Sequence, residues 1–67
     1  MIDTAKLRGI MAERGMTGEA LAKELGVHPQ TFYNKMKEGR FNSNEMSKMV
    51  EVLDIKDPLA VFFMDWS

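Results

Sequence analysis

Apolar residues recur along this chain at helical spacing, in five short clusters separated by glycine, proline and polar capping residues. Leu7, Ile10 and Met11 form the first stripe, and Ala20, Leu21 and Leu25 the second. Phe32 and Met36, four residues apart, give the third. Met46, Met49, Val50 and Leu53 follow i, i+3, i+4, i+7 spacing in the fourth. Leu59, Phe62 and Phe63 suit one face of a short fifth helix. Helix formers abound and period-2 alternation is absent, so the predicted fold is all-α with five helices.

The punctuation between the stripes sharpens their limits. Asp3 is an N-cap for a helix from about Thr4 to Arg14, which Gly15 ends. Thr17 caps a second helix that reaches Leu25, with Glu19 in its first turn. Gly26 takes the left-handed conformation that ends a helix, and Pro29 fits the first turn of the next, which stops at Gly39. Asn42 with Glu45 three residues on resembles a capping box. Asp57-Pro58 is an N-cap followed by a proline at the first helical position. Within Ala20–Met36, two short helices joined by a tight turn leave Ala22 small where they must cross. That is the sequence form of a helix-turn-helix, whose second helix is typically offered to the DNA major groove.

Composition narrows the function classes. Sixty-seven residues predict one domain, residues 1–67, with a modest core. No cysteine is present, so no disulfide or thiolate metal site forms; with a single histidine, His28, no metal or other cofactor is expected. No cysteine nucleophile and no carboxylate cluster with metal spacing is present, so no catalytic residue is assigned and an enzyme is not expected. No run approaches the roughly 18 apolar residues of a membrane span, and no signal-peptide pattern follows Met1. The expectation is a cytoplasmic protein. The net charge is −1, unlike the strongly basic balance common in DNA-binding domains. Its distribution is uneven: residues 1–26 are neutral, residues 27–44 sum to +2, and residues 45–67 sum to −3. The positive excess lies in and just after the third helix.

That helix carries an outward polar stripe. Gln30, Tyr33, Asn34 and Lys37 fall at i, i+3, i+4 and i+7, away from Phe32 and Met36. Gln and Asn each make bidentate bonds to adenine N6 and N7 in the major groove. Lys35, Lys37, Arg40, Ser43 and Asn44 are candidate phosphate contacts late in this helix and around the start of the fourth. Thr17 and Gly18 are similar candidates at the start of the second helix, and His28 either caps the third or touches a phosphate. Met11, Met36, Met46 and Met49 fall on core positions. Met64 and Trp66 are surplus apolar surface at the end of a small core, and with Phe63 they are expected at a two-fold dimer interface.

With these residues in view, the chain resembles the Cro/C1-type (XRE-like) helix-turn-helix family of phage and mobile-element repressors. It is most similar to a prophage-type branch with a pattern like GVHPQTFYNKMKEG, a Phe-capped fourth helix and an ending like IKDPLAVFF. The resemblance implies a five-helix, lambda-repressor-like DNA-binding domain whose helices 2 and 3 form the reading unit. It matches Gln30 and Asn34 to base-contacting positions, and Pro29 to another, where only an apolar contact to a thymine methyl is available. Tyr33 joins them as a contact to a base edge or phosphate. Three departures stand out. Many relatives carry a phosphate-contacting Gln where this chain has Gly18. Many also pair an Arg of helix 1 with an acidic residue of helix 3, where this chain has Met11 and, facing it, Met36. The segment between Gly26 and Gly39 is also one residue longer than in the commonest members.

The function expected is a sequence-specific transcriptional regulator, a repressor or Cro-like protein, that binds a roughly palindromic operator as a homodimer. Two alternatives share the fold. One is an antitoxin that binds its operator and a partner toxin; the other is a protein-interaction or antirepressor module that has lost DNA binding.

Overall fold

The computed structural model describes residues 2–62, and five helices run through them in the expected order: α1 Thr4–Glu13, α2 Gly18–Leu25, α3 Pro29–Glu38, α4 Ser43–Leu53 and α5 Pro58–Phe62. Each sequence-predicted cap does its work. The Asp3, Thr17 and Asn42 side chains accept from the backbone N–H of Lys6, Ala20 and Glu45. The Glu45 carboxylate in turn accepts from the Asn42 backbone N–H at 2.9 Å, which completes the capping box. Asp57 accepts from the Ala60 N–H at the start of α5. Gly26 and Gly39 end α2 and α3 at φ of 74° and 68°, where any other residue would carry a Cβ penalty.

The apolar stripes close one core. Leu7, Leu21, Ala22, Phe32, Met49 and Leu53 are fully buried, and Met11 and Met36 lie in the same cluster. Met46 packs against it from the edge. α2 packs on both α3 and α4, while α1 packs on α5. Ala22, with no side chain beyond Cβ, is fully buried in this core.

The fifth helix departs from expectation. Leu59 is 60% exposed, and Val61 takes the core position beside Phe62. Positions 61 and 62 point roughly 100° apart, and a face centred between them turns Leu59 outward. The Asp3 N–H donates to the Val61 carbonyl at 2.7 Å, which fixes this orientation against α1. Phe63, also expected on that face, lies outside the described residues.

A long-range clamp holds the opposite end. Arg14 Nε donates to the Leu53 carbonyl at 2.8 Å, and a guanidinium NH2 donates to the Asp54 carbonyl at 3.2 Å. These are end carbonyls of α4, without helical partners, and a cation is favourable there. Asp54 itself holds a left-handed backbone at φ 51°. A hydrogen bond from Lys56, then the Lys56 charge, holds its carboxyl below the usual carboxylate range. That small contribution is present at neutral pH and is lost as acid protonates Asp54. Arg14→Ala is expected to cost about 1 kcal/mol, read as a melting temperature lower by about 5 °C. An unchanged melting temperature would show that the clamp adds nothing.

Candidate nucleic-acid interface

The α3 helix is built with two opposed faces. Phe32 and Met36 are buried, whereas Gln30, Tyr33, Asn34 and Lys37 are all exposed on the other side. The buried face is anchored by aromatic contacts. The Phe32 ring lies 5.7 Å from that of Phe41 at 49°, and 5.7 Å from Tyr33 at 72°. The outer face is thereby fixed to the core by the residue between its own members.

Two of the outward residues are joined to each other. Gln30 Nε2 donates to Asn34 Oδ1 at 3.2 Å, one helical turn apart. This bond aligns the two amides and leaves the Gln30 carbonyl and the Asn34 amino group free for a partner. Pro29 is only half-buried, at the flank nearer the core, and offers the apolar surface its chemistry allows. Thr31 carries a further exposed hydroxyl immediately after Gln30, on the opposite flank. The four-residue stripe does not include it, although a helical wheel places it about 60° round from Asn34.

His28 is exposed and caps α3: its Nδ1 accepts from the Gln30 backbone N–H at 3.1 Å. Among the described residues, no group of three or more His, Asp or Glu sits close enough to hold a metal ion.

The candidate phosphate contacts fall into two groups. Lys37, Arg40, Ser43 and Asn44 are exposed at the end of α3 and the first turn of α4, and Thr17 is exposed at the cap of α2. Lys35 stands apart. Its ammonium lies 3.2 Å from Glu45 Oε1, and that carboxylate is nearly buried, with a side chain 9% exposed. Glu45 thus serves the α4 cap and ties α4 to α3 at once. The charge of Lys35 is largely committed within the protein, which leaves Lys37 and Arg40 as the exposed cations of the segment. Gly18 is half-buried, its first-turn backbone covered by the Tyr33 ring.

Two helices crossing at a glycine turn, the second presenting an amide pair outward with exposed cations at its C-terminal end, form a helix-turn-helix. The sequence matches the Cro/C1-type HTH DNA-binding domain over residues 6–58. The chain belongs to that family. No curated protein and no solved structure matches it significantly. In a Cro/C1-type domain the partner is DNA, and the five-helix architecture here is consistent with that assignment. No helix among the described residues is long and apolar enough to cross a membrane. Phe63, Met64 and Trp66, expected at a dimer interface, lie outside the described residues.

Proposed function

We propose that this Cro/C1-type domain is a sequence-specific transcriptional regulator, a repressor or Cro-like protein, which reads a roughly palindromic operator as a homodimer. Each subunit sets α3 in a major groove, with half-sites about one helical turn apart and operator symmetry following protein symmetry. Gln30 and Asn34 read base edges, and Pro29 offers a methyl contact. Thr17, Gly18, His28, Lys37, Arg40, Ser43 and Asn44 hold the backbone. The observation that carries this reading is the exposed, mutually bonded Gln30–Asn34 pair on the face opposite Phe32. Phe63, Met64 and Trp66 supply the contact between subunits, and the protein acts in the cytoplasm.

Selection from a pool of randomised duplexes tests this. The expected product is one enriched site with two symmetry-related halves, bound by two chains in sedimentation analysis. A pool that stays random would favour the reading as a protein-interaction module. An enriched site bound by one chain would remove the homodimer.

Salt dependence reports the backbone contacts. Each neutralised phosphate contributes about −0.9 to the slope of log affinity against log salt. Lys37→Ala and Arg40→Ala are each expected to reduce the slope by about one unit for every phosphate that a monomer ceases to neutralise. Lys35→Ala should change it less, because Glu45 already holds that ammonium. A slope that responds most to Lys35 would mean the ion pair opens on DNA.

A further inference from the structure

Gly18 opens α2 without any backbone requirement for glycine, since the left-handed glycines among the described residues are Gly15, Gly26 and Gly39. What position 18 lacks is space. A Cβ there would fall 2.6 Å from both Cε1 and Oη of Tyr33, and 2.8 Å from Cζ. Gly9 provides the contrast, because a Cβ at that position would meet nothing within 4 Å. The tip of Tyr33 therefore rests on the first turn of α2, while Phe32 meets its ring edge-on. The side chain is still 48% exposed. Its hydroxyl is drawn back from the centre of the α3 face, where Gln30 and Asn34 stand, toward the flank that carries Thr17.

We infer that Tyr33 is a DNA-backbone contact and not a base reader, and that Gly18 is the residue that positions it. The inference rests on the proposal that α3 faces DNA. A phenol hydroxyl donates to a phosphate oxygen without adding charge, which suits a chain of net charge −1. Contacts to phosphate set register and orientation but carry no sequence information directly. A side chain at position 18 displaces only the far end of Tyr33, a partly exposed group free to swing. Such a substitution leaves the fold intact and moves the hydroxyl.

The test uses the duplex selected by the wild-type chain and a scrambled duplex of equal length. Tyr33→Phe is expected to weaken binding to both by the same factor, about tenfold per subunit for its one lost bond to a charged group. The preference between the two duplexes should stay constant. Gly18→Ala should give the same uniform loss with an undiminished helical signal, while Gly9→Ala should bind as the wild type does. The double variant Gly18→Ala/Tyr33→Phe should be no weaker than either single change, because both remove the same hydrogen bond. Without DNA, the Gly18 α-protons should show a ring-current shift that Tyr33→Ala abolishes. A loss confined to the selected duplex would make Tyr33 a base reader and overturn the inference. Losses that multiply in the double variant, wild-type binding by Gly18→Ala, or no ring-current shift would remove the role of Gly18. A wild-type chain that enriches no duplex would overturn the DNA-facing proposal itself, and this inference with it.

Discussion

Phe32→Ala is expected to abolish the cooperative thermal transition of this domain. A buried Phe→Ala change costs about 3–5 kcal/mol through lost transfer energy and a residual cavity. At about 0.05–0.15 kcal/mol per residue, a chain this short has only about 3–10 kcal/mol of stability in all. Phe32 is fully buried; its ring meets that of Phe41, beyond the end of α3, and that of its neighbour Tyr33. The collapse should appear as a broad, shallow loss of helical circular dichroism in place of a sharp one. Phe32→Leu, which keeps most of the volume, should retain a sharp transition at a lower temperature. A sharp transition near the wild-type temperature in Phe32→Ala would mean that α3 is held by something other than this anchor. The functional consequence follows from the helix itself, since its outer face is only as fixed as the residue that seats it.

The second large effect belongs to that outer face. Gln30→Ala or Asn34→Ala should cost about 1–3 kcal/mol on the selected duplex and little on random DNA. Circular dichroism should remain unchanged, because both side chains are exposed. Their mutual hydrogen bond adds a further expectation. Residues in one network are seldom additive, so the double variant should lose less than the two single losses combined. Strict additivity would show that the two amides act independently on DNA. If neither change alters sequence preference, α3 is not the reader.

The parts of this fold legible in the sequence were those governed by residues close together in the chain. Caps act over three residues, so Asp3, Thr17, Asn42 with Glu45, and Asp57 could be placed from spacing alone. Glycine stops at Gly26 and Gly39 were legible for the same reason. The stripes of α1 to α4 were long enough for their period to point to the core. The five residues of α5 were not: a helix of barely more than one turn does not repeat its period, and Leu59 and Val61 exchanged places. Contacts between distant elements were also hidden. Arg14 meets carbonyls 39 and 40 residues away, and the choice of Lys35 as the partner of Glu45 depends on how α3 approaches α4. The tyrosine ring over Gly18 depends on the crossing of α2 and α3, which no local pattern encodes. The Gln30–Asn34 stripe was legible as a face, but the bond within it was not.

The central claim is that α3 is the surface that meets DNA. It is tested most directly by titrating the isotopically labelled chain with the selected duplex and following its amide resonances. The largest changes should fall on residues 28–37 and on the side-chain amides of Gln30 and Asn34, with smaller ones at Thr17 and Arg40. Changes concentrated on α1 or α5, with the Gln30 and Asn34 side-chain signals unmoved, would contradict it.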